Sequence, residues 1–110
     1  MSGADILERL TKTLENRKNA SPEDSYVARL YAGAPEVILK KIGEEAAEIL
    51  LAAKDGDKLQ IVRETADLWF HCLVMLSYYG MTADDVLQEL RRREGVSGLT
   101  EKEQRKKGKD

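Results

Sequence analysis

An all-α helical bundle, built on one long antiparallel helix hairpin, is expected of this 110-residue sequence. Apolar residues recur at spacings of three and four along successive segments, as the helical period of about 3.6 requires. The connections between those segments are short, which favours antiparallel neighbours. Composition agrees: 42% apolar and 35% charged residues, with two prolines and one phenylalanine, suit a soluble helical protein better than a β-sandwich or a disordered chain. A chain of this length is expected to make one domain over residues 1–110, burying roughly two-thirds of the surface its unfolded state exposes.

The first helix is expected over residues 4–18, where Ile6, Leu7, Leu10 and Leu14 share a face and Asp5 lies in the first turn. Ser21, Pro22 and Asp24 resemble a helix start, so a short second helix should run through Tyr26, Leu30 and Tyr31 until Gly33 stops it. Pro35 opens a long third helix, residues 35–54, with Ile38, Ile42, Ala46, Ile49 and Ala53 as its apolar positions. Asp55-Gly56-Asp57 breaks it. The fourth helix, residues 57–79, carries Ile61, Leu68, Cys72 and Met75 as one stripe, widened by Val62, Ala66, Trp69 and Leu73, and closes at Gly80. Thr82 with Asp85 has capping-box spacing and starts a fifth helix that ends at Gly95. Ser97-Gly98 signals a turn, and Thr100 with Glu103 suggests one last short helix before a charged tail.

Twenty acidic residues nearly balance 18 basic ones, so no global field marks nucleic acid or an acidic membrane as a partner. The single cysteine, Cys72, cannot form an internal disulfide, and no apolar run is long enough to span a bilayer or serve as a secretion signal. The cytoplasm is the expected compartment.

The chemistry is concentrated in the long hairpin. Glu44 and Glu45 each share a face with Glu48, and Glu64 shares one with Asp67. Folding the chain back about Gly56 levels Glu48 with Glu64, each eight residues from the turn, and Glu45 with Asp67, each eleven residues from it. Axes ~8–10 Å apart let facing carboxylates meet at metal–oxygen distances of ~2.0–2.1 Å. Glu45 and Glu64 also interrupt faces that should be core. Glutamates are common on exposed helix faces, and Lys40, Lys41 and Arg63 could pair with them as solvated charge. The level pairing and the two interrupted stripes favour a metal site instead, since buried carboxylates without partners cost several kcal/mol each. An all-oxygen donor set without Cys/His spacing points to Mg²⁺ or Mn²⁺.

Leu39-Lys40-Lys41-Ile42-Gly43-Glu44-Glu45-Ala46-Ala47-Glu48, with Glu64-Thr65-Ala66-Asp67-Leu68 downstream, resembles the EExxE…ExxD pattern of the all-helical NTP pyrophosphatases, the MazG-like superfamily. The flanking pieces Asp24-Ser25-Tyr26, Ala52-Ala53-Lys54-Asp55-Gly56, His71 and Arg91-Arg92-Arg93, with Ser97-Gly98-Leu99 and Glu101-Lys102, are similar to the phosphoribosyl-ATP pyrophosphohydrolase family in particular. The likeness covers about residues 5–106. Val27, Thr65 and Trp69-Phe70 depart from the usual family residues, and none is a proposed ligand.

The resemblance implies Mg²⁺-dependent hydrolysis of phosphoribosyl-ATP to phosphoribosyl-AMP and pyrophosphate, the second step of histidine biosynthesis, by a stand-alone enzyme forming a homodimer or higher homo-oligomer. It implies Glu44, Glu45, Glu48, Glu64 and Asp67 as metal ligands, with Glu44, Glu45 and Glu48 the candidates for catalytic proton transfer. Lys40, Lys41, Lys54, Ser25, Tyr26 and Arg91 are the candidates for substrate contact, each with a plainer reading as surface charge, cap or packed ring. His71 reads as a hydrogen-bonded core histidine and stands outside the catalytic set. Gly43 within a helix hints at a close helix approach or room for ligand. Two other functions remain open: a housecleaning NTP or dUTP pyrophosphatase on the same fold, and a non-catalytic helical interaction module.

Overall fold

The computed structural model describes residues 3–96 together with 98, 103 and 105. Five helices account for most of them: α1 (Gly3–Arg17), α2 (Tyr26–Ala32), α3 (Glu36–Asp55), α4 (Lys58–Tyr78) and α5 (Ala83–Arg93). No strand occurs among the described residues. The all-α bundle on a long hairpin is therefore what forms. The last short helix falls largely outside the described residues, Ser97, Leu99 and Thr100 among those not covered, while Gly98, Glu103 and Arg105 have helical backbone.

The turn between α3 and α4 is made by Gly56, whose φ of 69° lies in the left-handed region that disfavours a Cβ. The Gly56 N–H reaches the Ala53 carbonyl at 3.1 Å and the Asp57 N–H reaches the Ala52 carbonyl at 3.2 Å, which satisfies the last carbonyls of α3. Asp57 then caps α4 by accepting the Gln60 N–H at 3.1 Å. Two helices of 20 and 21 residues thus fold back on each other through a two-residue turn. At the start of α5, Asp85 accepts the Thr82 N–H at 2.9 Å, as the capping-box spacing implies.

The second helix starts later than expected. Ser21 makes a turn instead, its carbonyl accepting from the Asp24 and Ser25 N–H groups at 3.0 and 3.1 Å. Ser25 is the cap, with extended backbone and a hydroxyl that accepts the Ala28 N–H at 3.1 Å. Pro22 and Asp24 therefore precede α2 rather than open it.

Leu14, Leu30, Ile38 and Val74, one from each of α1 to α4, are at most 2% exposed and form the centre of the core. Each contributes roughly 1.5–3 kcal/mol by leaving water. α5 joins through Ala83 and lies mainly against α1. On α3 the core-facing positions are Ile38, Ile42, Glu45, Ile49 and Ala52, whereas Ala46 and Ala53, expected in the stripe, face solvent. The helical period carries Glu45 inward and those alanines out. On α4, Val62, Ala66 and Trp69 also lie outside the core. Both helices of the hairpin carry apolar residues on two faces.

A polar hub ties the ends of α1, α2 and α4. Buried Ser77 accepts a hydrogen bond from the Tyr31 hydroxyl at 2.8 Å and donates one to Glu15 Oε1 at 2.9 Å. The Lys18 ammonium donates to the Ser77 carbonyl at 2.9 Å and pairs with Glu15 at 3.1 Å. The Ser77 hydroxyl, then Lys18, hold the Glu15 carboxyl below its ordinary value. Ser77→Ala is expected to cost ~1–3 kcal/mol in urea denaturation, because the Tyr31 hydroxyl and Glu15 lose a buried partner. A loss below about 0.5 kcal/mol would show the hub to be dispensable.

Candidate active site

The Gly56 turn brings Glu48 of α3 against Glu64 of α4. Glu64, as an acceptor for the protonated Glu48 carboxyl and then by its charge, raises Glu48 above its ordinary value. Glu45 and Glu44 add smaller repulsions. Glu45 is 8% exposed, while Glu44, Glu48 and Asp67 are open to solvent and Glu64 is half-buried.

Two of these carboxylates hold buried oxygens with no hydrogen-bond partner, Oε1 of Glu45 and Oε2 of Glu64. The other oxygen of Glu64 accepts from the Gln60 side chain one turn earlier on α4. Glu45 Oε1 lies 2.7 Å from His71 Nδ1, but that nitrogen is also 2.9 Å from the Asp67 carbonyl and is aligned on it. Orphaned carboxylate oxygens are costly unless a cation completes them. Lys40, Lys41 and Arg63 do not supply it, since among the described residues none of them forms an ion pair. The donor set is all oxygen, as a hard divalent cation prefers. As the side chains lie, no three acidic, His or Cys groups among the described residues are gathered tightly enough to hold a metal ion. The residue types and the orphaned oxygens fit a divalent cation, and its coordination sphere is not closed in this arrangement.

The other residues singled out in the sequence fall into two groups. Ser25 spends its hydroxyl on the α2 cap, and the Tyr26 hydroxyl lies 2.9 Å from His71 Nε2, on the same imidazole that borders Glu45. Lys40 and Lys54 are exposed and Lys41 is half-buried. Arg91 is 3.8 Å from Asp84 on its own helix, while Arg92 and Arg93 grip Glu89 and hold its carboxyl down at about 2. Gly43 is exposed and a Cβ there would meet nothing within 4 Å, so no helix approaches it closely and open space adjoins Glu44. Sequence reasoning passed over Gln60, whose signal is its place four residues before Glu64. His71 it set aside as core, and the residue is indeed 5% exposed, but it also touches both Tyr26 and Glu45.

A model of the phosphoribosyl-ATP pyrophosphohydrolase family matches residues 7–94, a span that includes every one of these carboxylates. The chain belongs to the phosphoribosyl-ATP pyrophosphohydrolase family. Its relatives in that family include a phosphoribosyl-ATP pyrophosphatase of Nitrosospira multiformis, 60% identical over 98% of this chain and 89% of the relative. One from Dechloromonas aromatica is 55% identical over 96% of this chain and 97% of its own length. Another from Chromobacterium violaceum is 56% identical over 93% and 94%. The family match extends from α1 into the C-terminal end of α5, so it takes in the core and the hub as well as the hairpin.

Proposed function

We propose that this protein hydrolyses phosphoribosyl-ATP to phosphoribosyl-AMP and pyrophosphate, a step of histidine biosynthesis. Membership of the phosphoribosyl-ATP pyrophosphohydrolase family carries the reading, and the paired carboxylates of α3 and α4 supply chemistry suited to it. Glu45, Glu48, Glu64 and Asp67, with Glu44 beside them, would hold Mg²⁺ or Mn²⁺. Held there, such an ion would offset the charge of phosphate oxygens and make water more acidic. Water attacks at the α–β anhydride, one of Glu44, Glu45 and Glu48 accepts its proton, and the bond to pyrophosphate breaks. Lys40, Lys41 and Lys54, which form no ion pair among the described residues, offer cations for the polyphosphate, with Ser25, Tyr26 and Arg91 as further contacts.

The single helical domain, residues 1–110, carries this activity, and its place is the cytoplasm. No described helix is long and apolar enough to cross a membrane. The working form is a homodimer or a higher homo-oligomer. Leu50, Leu51, Leu59, Val62 and Trp69 on the hairpin are each 59–68% exposed, an apolar surface that a lone soluble domain would normally cover.

Pyrophosphate release from phosphoribosyl-ATP, with ATP and dUTP as comparison substrates and with and without Mg²⁺, tests the reading. Magnesium-dependent release from phosphoribosyl-ATP is the expected result. Preference for ATP or dUTP would move the protein to the housecleaning pyrophosphatases, and no release from any substrate would leave a non-catalytic module.

A further inference from the structure

His71 is buried, and three polar groups from three helices surround its ring. The Tyr26 hydroxyl of α2 lies 2.9 Å from Nε2, the Asp67 carbonyl of α4 lies 2.9 Å from Nδ1, and Glu45 Oε1 of α3 lies 2.7 Å from that same nitrogen. Phe70 and Tyr26 meet the ring edge-on, at interplanar angles of 88° and 84°, which fixes its plane.

These contacts select a protonation form. A carbonyl oxygen only accepts, and so does a carboxylate, so a bare Nδ1 would face two lone pairs within 3 Å. Nδ1 must carry hydrogen. In the neutral ring Nε2 is then an acceptor, and the Tyr26 hydroxyl donates to it.

We propose that His71 and Tyr26 are positioning residues for the carboxylate site. The Asp67 carbonyl and the Glu45 carboxylate fix the Nδ1–H form, the Tyr26 hydroxyl anchors the ring through Nε2, and the N–H so placed keeps Glu45 in register with the α4 acids. The imidazole leaves Glu45 Oε1 without a fully formed hydrogen bond, so the carboxylate is oriented while keeping an oxygen to give to a cation. Outer partners of this kind fix the direction of a ligand and its affinity for metal. The short helix α2 is thereby coupled to the site through one hydroxyl. The proposal rests on the metal-site reading of Glu45.

His71 is the chain's one histidine, so its ring signals need no assignment. In ¹⁵N–¹H correlation spectra of the metal-free protein at about pH 8, where an ordinary imidazole is neutral, the wild-type ring is expected as the Nδ1–H tautomer. Tyr26→Phe, at a half-exposed ring that keeps its packing, is expected to retain the Nδ1–H tautomer while its Nε2 resonance shifts on losing the hydroxyl that donates to it. The same variant should raise the Mg²⁺ concentration needed for half of the thermal stabilisation by about tenfold. His71→Asn, which can return an N–H near the Nδ1 position, should respond to Mg²⁺ at lower concentrations than His71→Leu. A wild-type Nε2–H tautomer overturns the proposal, as does a Tyr26→Phe midpoint equal to wild type in a protein that responds to Mg²⁺. Wild-type protein whose melting ignores Mg²⁺ would remove the metal site and this proposal with it.

Discussion

Glu48→Gln protein is expected to release pyrophosphate from phosphoribosyl-ATP at least about 100-fold more slowly than wild type at saturating Mg²⁺. Outer-shell partners of a metal site typically cost 10–100-fold when lost, and Glu48 stands in the carboxylate pair itself. The metal-free variant should melt at or above the wild-type temperature near neutral pH. Glu64, by hydrogen bond and then by charge, raises the Glu48 carboxyl from its ordinary 4.5. A group raised on folding stabilises the fold fully below its unfolded value and loses that contribution as pH climbs through the folded one. Above both values the ionised pair opposes folding, and the glutamine relieves it. The variant's advantage should therefore be present near neutrality and disappear on acidification below about 4.5. Assays with and without Mg²⁺, paired with melts across pH, check both halves. Full activity, or a metal-free protein less stable than wild type at neutral pH, would sink the assignment of Glu48.

Replacing Val62 and Trp69 together by glutamate is expected to convert the proposed dimer to monomer, read by sedimentation or light scattering across concentration. These residues lie seven apart on one face of α4, are 65% and 61% exposed, and are accompanied on the hairpin by Leu50, Leu51 and Leu59. Each buried side chain of this size contributes ~1.5–3 kcal/mol to association, and carboxylates placed between two copies face desolvation without a partner. A loss of 10³-fold or more in dimer affinity corresponds to about 4 kcal/mol. The helical content should persist, because neither side chain reaches the core around Leu30, Ile38 and Val74. An unchanged particle mass in the double variant would show that the hairpin face is not where the copies meet.

The architecture was legible because the punctuation was strong. Gly56 and Asp57 mark the hairpin turn, and Thr82 with Asp85 marks the start of α5, each through local hydrogen bonds that depend on a few neighbouring residues. Where two equivalent signals stood four residues apart, at Ser21 and Ser25, local reasoning chose the wrong one, since a turn and a cap use the same hydroxyl chemistry. The pairing of Glu48 with Glu64 was readable from their equal distances to Gly56. Helix faces were harder. Ala46, Ala53, Val62 and Trp69 are apolar without being core, and hydrophobicity alone cannot separate a face turned to the interior from one turned outward. The Tyr26–His71–Glu45 contact joins residues 45 positions apart across three helices, and no spacing rule reaches that far.

The hairpin makes the site a matter of counting. Each residue added to a helix shifts every later residue of that helix by about 1.5 Å and turns it by about 100°. One extra residue inside α4 between Gln60 and Glu64 would therefore swing Glu64 and Asp67 off the face that meets α3, with every carboxylate still in the chain. The same addition in the Gly80–Met81 connection, outside both helices of the hairpin, would leave that alignment untouched. The proposed site thus divides tolerance to changes of chain length sharply along this sequence, and makes the stretch from Glu45 to Asp67 the part that must keep its tally.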